Sequence, residues 1–211
     1  MPPATDPSAT DPDLAALLAA WGRSDFKDAI AAVAARRGAA PFLALADEIV
    51  ARRRAPGVTA PRLFTSKEAD VAAAGLLAAK APIEPRWDEF LPFAWGTPEL
   101  NAALADAIGP ERTAASVLVA MRESGDVQGL RLGVAMLKVL GVRVAPPIVE
   151  AVVALLHKRG FGAQFPNARR ELARLGQELD ALAQRDGALG HLVQQARAAR
   201  GKASKPAPKR P

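Results

Sequence analysis

Apolar positions step through this chain by threes and fours, and Gly, Pro or a capping side chain interrupts each run after a few turns, which is the rhythm of short amphipathic helices. Structure is expected to start at Asp11, where an Asp cap precedes Pro12 at the first helical position and the run DLAALLAAW. A second helix begins at Ser24, aligns Phe26, Ile30 and Val33, and finishes at Arg36, Arg37 and Gly38, where positive charge suits the negative end of the helix dipole. A third opens at Pro41, places Phe42, Leu45 and Ile49 on one side, and ends in Arg52, Arg53 and Arg54 before Pro56 and Gly57. Thr65 and Glu68 form a capping box for a fourth, which continues to about Lys80 and stops because Pro82 follows.

Residues 81–97 break the rhythm with Pro82, Pro85 and Pro92 set among Trp87, Phe90, Phe93 and Trp95. Thr97, Pro98 and Glu99 then start a helix that ends at Gly109. Two more end before Gly125 and Gly141, and another runs from Pro146 to just before Gly160. The equal spacing of Gly109, Gly125 and Gly141 corresponds to one helix of about 13 residues plus a turn. Helices over 167–186 and 188–200 carry Leu172, Leu175, Leu179, Leu182, Leu189 and Val193 in one register. A single helix kinked at Gly187 and a hairpin broken there both fit, as do an intramolecular core and a dimer seam. No strand is expected, because VRVAPPIV alternates only until its two prolines.

The predicted fold is all-α, with about ten short helices in antiparallel hairpins. They occupy residues 11–200 as halves 11–80 and 98–200 joined by segment 81–97, between a disordered N-terminus over 1–10 and a disordered basic tail over 201–211. The stretch DVQGLRLGVAMLKVLG, residues 126–141, resembles the second helix of a HEAT-type repeat in Asp126, Arg131, Ala135, Leu137 and Gly141. PERTAASVLVAMRESG would be its partner helix. The resemblance covers residues 110–141 and implies a stack of helical hairpins; an irregular helical bundle is the alternative.

Composition narrows the chemistry. The chain has no cysteine, which excludes disulfides, thiolate metal sites and thiol nucleophiles, and no tyrosine. The N-terminus has neither a basic start nor an apolar core, and no apolar run approaches a membrane span, so cytoplasmic residence without integral membrane association is expected. No phosphate-binding loop, dinucleotide fingerprint, nucleophile elbow or HExxH motif occurs. His157 and His191, the two histidines, lie on different predicted helices, and the acidic pairs Asp47 with Glu48 and Asp88 with Glu89 are sequence neighbours that diverge on a helix. No catalytic, cofactor or metal residue is therefore assigned, and a non-enzymatic protein is expected.

Charge is uneven. Residues 1–154 carry 16 basic and 18 acidic side chains, whereas residues 155–211 carry 12 basic and 4 acidic. The favoured expectation is a protein–protein interaction scaffold of stacked helices. Trp87, Phe90, Phe93 and Trp95 serve either as a plug between the two helical halves or as an anchor patch for the partner. The alternative is nucleic-acid binding through Arg169, Arg170, Arg174, Arg197 and Arg200, with Lys202, Lys205, Lys209 and Arg210 of the tail. HEAT-like alkylpurine DNA glycosylases have about this length, but no residue here matches their catalytic aspartate and tryptophan positions.

Overall fold

In the computed structural model of the chain, residues 11–54, 67–82, 84, 87–158 and 168–203 are described. They hold eleven α-helices and no strand, as the apolar periodicity predicts. These are α1 (Pro12–Ala20), α2 (Phe26–Arg37), α3 (Ala40–Arg54), α4 (Lys67–Ala78), α5 (Trp87–Phe90), α6 (Pro98–Ile108), α7 (Pro110–Glu123), α8 (Asp126–Leu140), α9 (Ala145–Leu156), α10 (Ala168–Arg185) and α11 (Gly187–Ala203). Short 3-10 turns follow α5 (Leu91–Phe93) and α8 (Gly141–Val144). The expectations placed on residues 1–10, on Thr65 and on the tail beyond Ala203 fall outside the described residues.

Local signals set the helix ends. The Asp11 carboxylate accepts from the backbone N–H groups of Asp13 and Leu14 at 3.0 and 3.3 Å, and Thr97 Oγ1 accepts from Leu100 N at 3.4 Å. The second helix differs: Asp25 rather than Ser24 precedes its first residue and makes no side-chain cap. Gly109, Gly125 and Gly141 have φ of +83°, +77° and +55°, so the recurrence in sequence marks three left-handed turn positions.

The chain divides into two compact units, Met1–Arg112 and Thr113–Pro211. In the first, α1, α2, α3 and α6 all pack against α4. Its residues from Ala69 to Ala73, with Gly75 and Leu76, are buried, so α4 is covered nearly all round. Small side chains make this possible: a Cβ at Gly75 would fall 2.0 Å from the ring of Phe42, which lies fully buried in the space the glycine leaves. The proline-aromatic segment belongs to this unit, with α5 against α3 and the following 3-10 turn against α4.

In the second unit each helix of the series α8, α9, α11, α10 packs on the next, and α10 returns to α8, which closes a four-helix ring. Leu175, Leu179, Leu189 and Val193 are each at most 2% exposed and belong to the core of this unit, whereas Leu172 and Leu182 of the same register are half-buried. The chain breaks at Asp186, one residue before the predicted glycine, because its Oδ1 caps α11 by accepting from Ala188 N and Leu189 N, both at 3.1 Å. Helix α11 continues to Ala203, three residues past the predicted end at Arg200. Among the described residues no single helix is long and apolar enough to cross a membrane.

Candidate functional site

The most distinctive polar group in the first unit is Asp70, on α4. It is 1% exposed, although carboxylates are rarely buried without a charged partner. Its Oδ2 accepts from Trp21 Nε1 at 3.0 Å and its Oδ1 from the backbone N–H of Gly96 at 3.1 Å. Burial pushes its pKa from 3.8 up to about 6, against the downward pull of the Gly96 and Trp21 hydrogen bonds. A Cβ at position 96 would lie 2.0 Å from Asp70 Oδ2, so glycine is what allows backbone and carboxylate to meet. Lys67 places its ammonium over the Trp21 ring, 5.5 Å from the centroid. Sequence reasoning passed Asp70 over. The signal was available in ADVAAAGLLA, a run apolar on every face, which buries whatever acid it contains.

The aromatic residues do not form an anchor patch. Trp87 is 1% exposed and Phe90, Phe93 and Trp95 are each 2% exposed, so a partner cannot reach them on the folded surface. This corrects the exposed anchor considered for them: they are core residues of the first unit, since a chain so poor in bulky side chains spends them on its core. The Trp87 and Phe90 rings meet at 5.9 Å and 52°. Trp87 Nε1 has no hydrogen-bond partner among the described residues.

The second unit holds the basic candidates, and ion pairing divides them. Arg174 bonds Glu171 and Glu178, and Arg131 of α8 bonds Glu171 at 2.6 Å, so α8 and α10 share one charge network. The Arg174 and Arg131 guanidiniums hold the Glu171 carboxyl down at about 2. Arg197 of α11 donates to Asp180 of α10 at 2.7 Å. Arg169, Arg170 and Arg200 are exposed and have no ion-pair partner among the described residues. The side chain of Lys202, and Lys205, Lys209 and Arg210 entirely, lie outside the described set.

Between α9 and α11 runs an open groove of about 470 Å³. Leu192, Ala196 and Ala199 of α11 line it beside Pro146, with Glu150 on the α9 side and Arg200 on the α11 side. Gln195 completes its lining. The histidines are engaged locally. His157 Nδ1 donates to the Val153 carbonyl at 2.9 Å, at the end of α9, and His191 Nε2 lies 2.7 Å from Gln195 Nε2. No group of three or more His, Asp or Glu side chains among the described residues can hold a metal ion. No protein family, curated protein or solved structure matches the chain.

Proposed function

We propose that the chain is a non-enzymatic helical scaffold that binds another protein along the α9–α11 groove of its second unit. The groove carries this reading: Leu192, Ala196, Ala199 and Pro146 line it together with Gln195 and two opposite charges, Glu150 and Arg200. An amphipathic helix seats its apolar face in such a groove, and flanking charges set its direction. The partner helix that fits turns a base toward Glu150 and an acid toward Arg200. The HEAT-type reading belongs to the same proposal. In its support, α7 and α8 have similar lengths and are each followed by a turn toward a left-handed glycine, Gly125 or Gly141. Gly129 and Gly133 of α8 also admit Met121 of α7 at close range.

Ala199→Arg tests the proposal, because position 199 is exposed and the new side chain fills the groove without entering the core. Affinity capture with the full chain, followed by titration of the captured partner once purified, should show at least a tenfold loss of affinity with unchanged helical circular dichroism. Capture indifferent to Ala199→Arg defeats the reading.

A second reading, nucleic-acid binding, is supported by the three exposed arginines without ion-pair partners. Duplex DNA binding would then weaken with salt at a slope of roughly −0.9 per phosphate contacted, and Arg169→Glu with Arg170→Glu would flatten that slope. Absence of salt-dependent binding to DNA or RNA removes it.

A further inference from the structure

One carboxylate ties three separate parts of the first unit together. Asp70 on α4 accepts from Trp21, the residue that closes α1, and from Gly96, just ahead of the cap of α6. Neither donor is charged, and the charged side chains on the elements packed around α4 are engaged elsewhere or leave Asp70 unshifted. Asp11 and Asp13 of α1 pair with Arg36 and Arg37 of α2, and Arg52 of α3 pairs with Glu48 and Glu68. Lys67 stands over the Trp21 ring. Lys27 and Asp28 of α2, Asp47 of α3, and Glu99 and Asp106 of α6 are not among the groups that move its titration, which burial, Gly96 and Trp21 govern.

We propose that Asp70 is a proton-operated latch: as a carboxylate it holds the exit of α1 and the entry of α6 onto α4, and as a neutral acid it loosens both while the apolar core stays assembled. As an anion, both oxygens accept charge-assisted hydrogen bonds, which are roughly twice as strong as neutral ones. Protonation puts hydrogen on one of those oxygens, and both bonds lose the assistance. The two donors lie on different sides of the carboxylate, Gly96 N–H at Oδ1 and Trp21 Nε1 at Oδ2, so a proton on either oxygen weakens the pair. Trp21 is half-buried, so the ring it releases is already at the surface. With the pKa at about 6, the change falls within reach of modest acidification.

The latch has a signature that a merely structural carboxylate lacks. Lowering the pH from about 7.5 to about 5 removes a buried charge, so global unfolding becomes harder, while protection at the two tied N–H groups falls. The experiment is ¹⁵N NMR of the full chain across that range, with hydrogen exchange corrected for its intrinsic pH dependence. The Trp21 indole and Gly96 amide resonances should move together with a midpoint near pH 6, and their protection should drop severalfold as the denaturation midpoint rises. The Trp87 indole, without a hydrogen-bond partner among the described residues, should stay still. Asp70→Asn should abolish the movement. The proposal is overturned if the two resonances do not titrate, if they titrate alike in Asp70→Asn, or if their protection rises in step with global stability. Should Asp70→Asn fail to fold, the wild-type titration alone decides.

Discussion

Arg197 and Asp180 are 17 residues apart in sequence, and their side chains meet at 2.7 Å. On one continuous helix they would be separated by about 25 Å along the axis at 1.5 Å per residue, so this pair fixes α10 and α11 as a hairpin. Both side chains are partly exposed, at 39% and 49%. A double-mutant cycle with Arg197→Ala and Asp180→Ala should therefore give a coupling of about 0.2–1 kcal/mol, shrinking with added salt.

Two glycines on helices of the second unit should respond oppositely to alanine. Gly176, within α10, has open space around the position of a Cβ, so Gly176→Ala should raise stability by about 0.5–1 kcal/mol through helix propensity. At Gly129, on α8, a Cβ would fall 2.2 Å from the Met121 carbonyl oxygen, a backbone atom that cannot swing aside. The same propensity gain is then outweighed, and Gly129→Ala should cost about 1–3 kcal/mol net. Urea unfolding of both variants checks the pair.

Gly96→Ala should destabilise the first unit by about 1–3 kcal/mol, since its Cβ meets the Asp70 carboxylate. Asp70→Ala removes that obstacle, so the double variant should lose less than the sum of the singles, a difference that thermal unfolding resolves.

Stability should depend on pH with opposite signs in the two units. The Asp70 pKa is raised, so the folded chain holds its proton more tightly than the unfolded one; stability is greatest below about pH 4 and declines as pH rises through about 6, by up to about 3 kcal/mol. The Glu171 pKa is lowered to about 2, so its contribution is present above the unfolded value near 4.5 and disappears as pH falls toward 2. Asp70→Asn should flatten the upper limb of the unfolding profile and Glu171→Gln the lower.

Tryptophan emission should report the interior. In a Trp21→Phe variant the remaining rings, Trp87 and Trp95, are 1% and 2% exposed, so the spectrum should be blue-shifted and resist iodide quenching. A red, readily quenched emission would mean that the segment opens in solution.

The helices were legible in the sequence because their ends are chemical: Asp11 with Pro12, Thr97 with Pro98, and the glycines at 109, 125 and 141 determine backbone geometry locally. The break at Asp186 was missed by one residue because Gly187 and the capping aspartate point to the same turn, and only the hydrogen bonds show which residue makes it. Tertiary pairings were not legible. Arg174 and Arg197 look like free charge along a basic stretch, and their neutralisation depends on which helices fold back on one another. Asp70 was hidden for a related reason. Its helix packs against four others, and a periodicity tuned to two-faced helices does not single out one covered nearly all round.

That enclosure also bears on synthesis. The helices made before α4 all pack against it, and their Leu17, Ile30 and Phe42 are buried in the folded unit. A nascent chain that has not yet reached Ala78 therefore carries three short helices whose common partner does not exist, and each is too short to be stable alone in water. Folding of the first unit must wait for its middle to leave the ribosome. Until then the apolar faces of these three helices lack the helix they pack against, which is the kind of surface that aggregates.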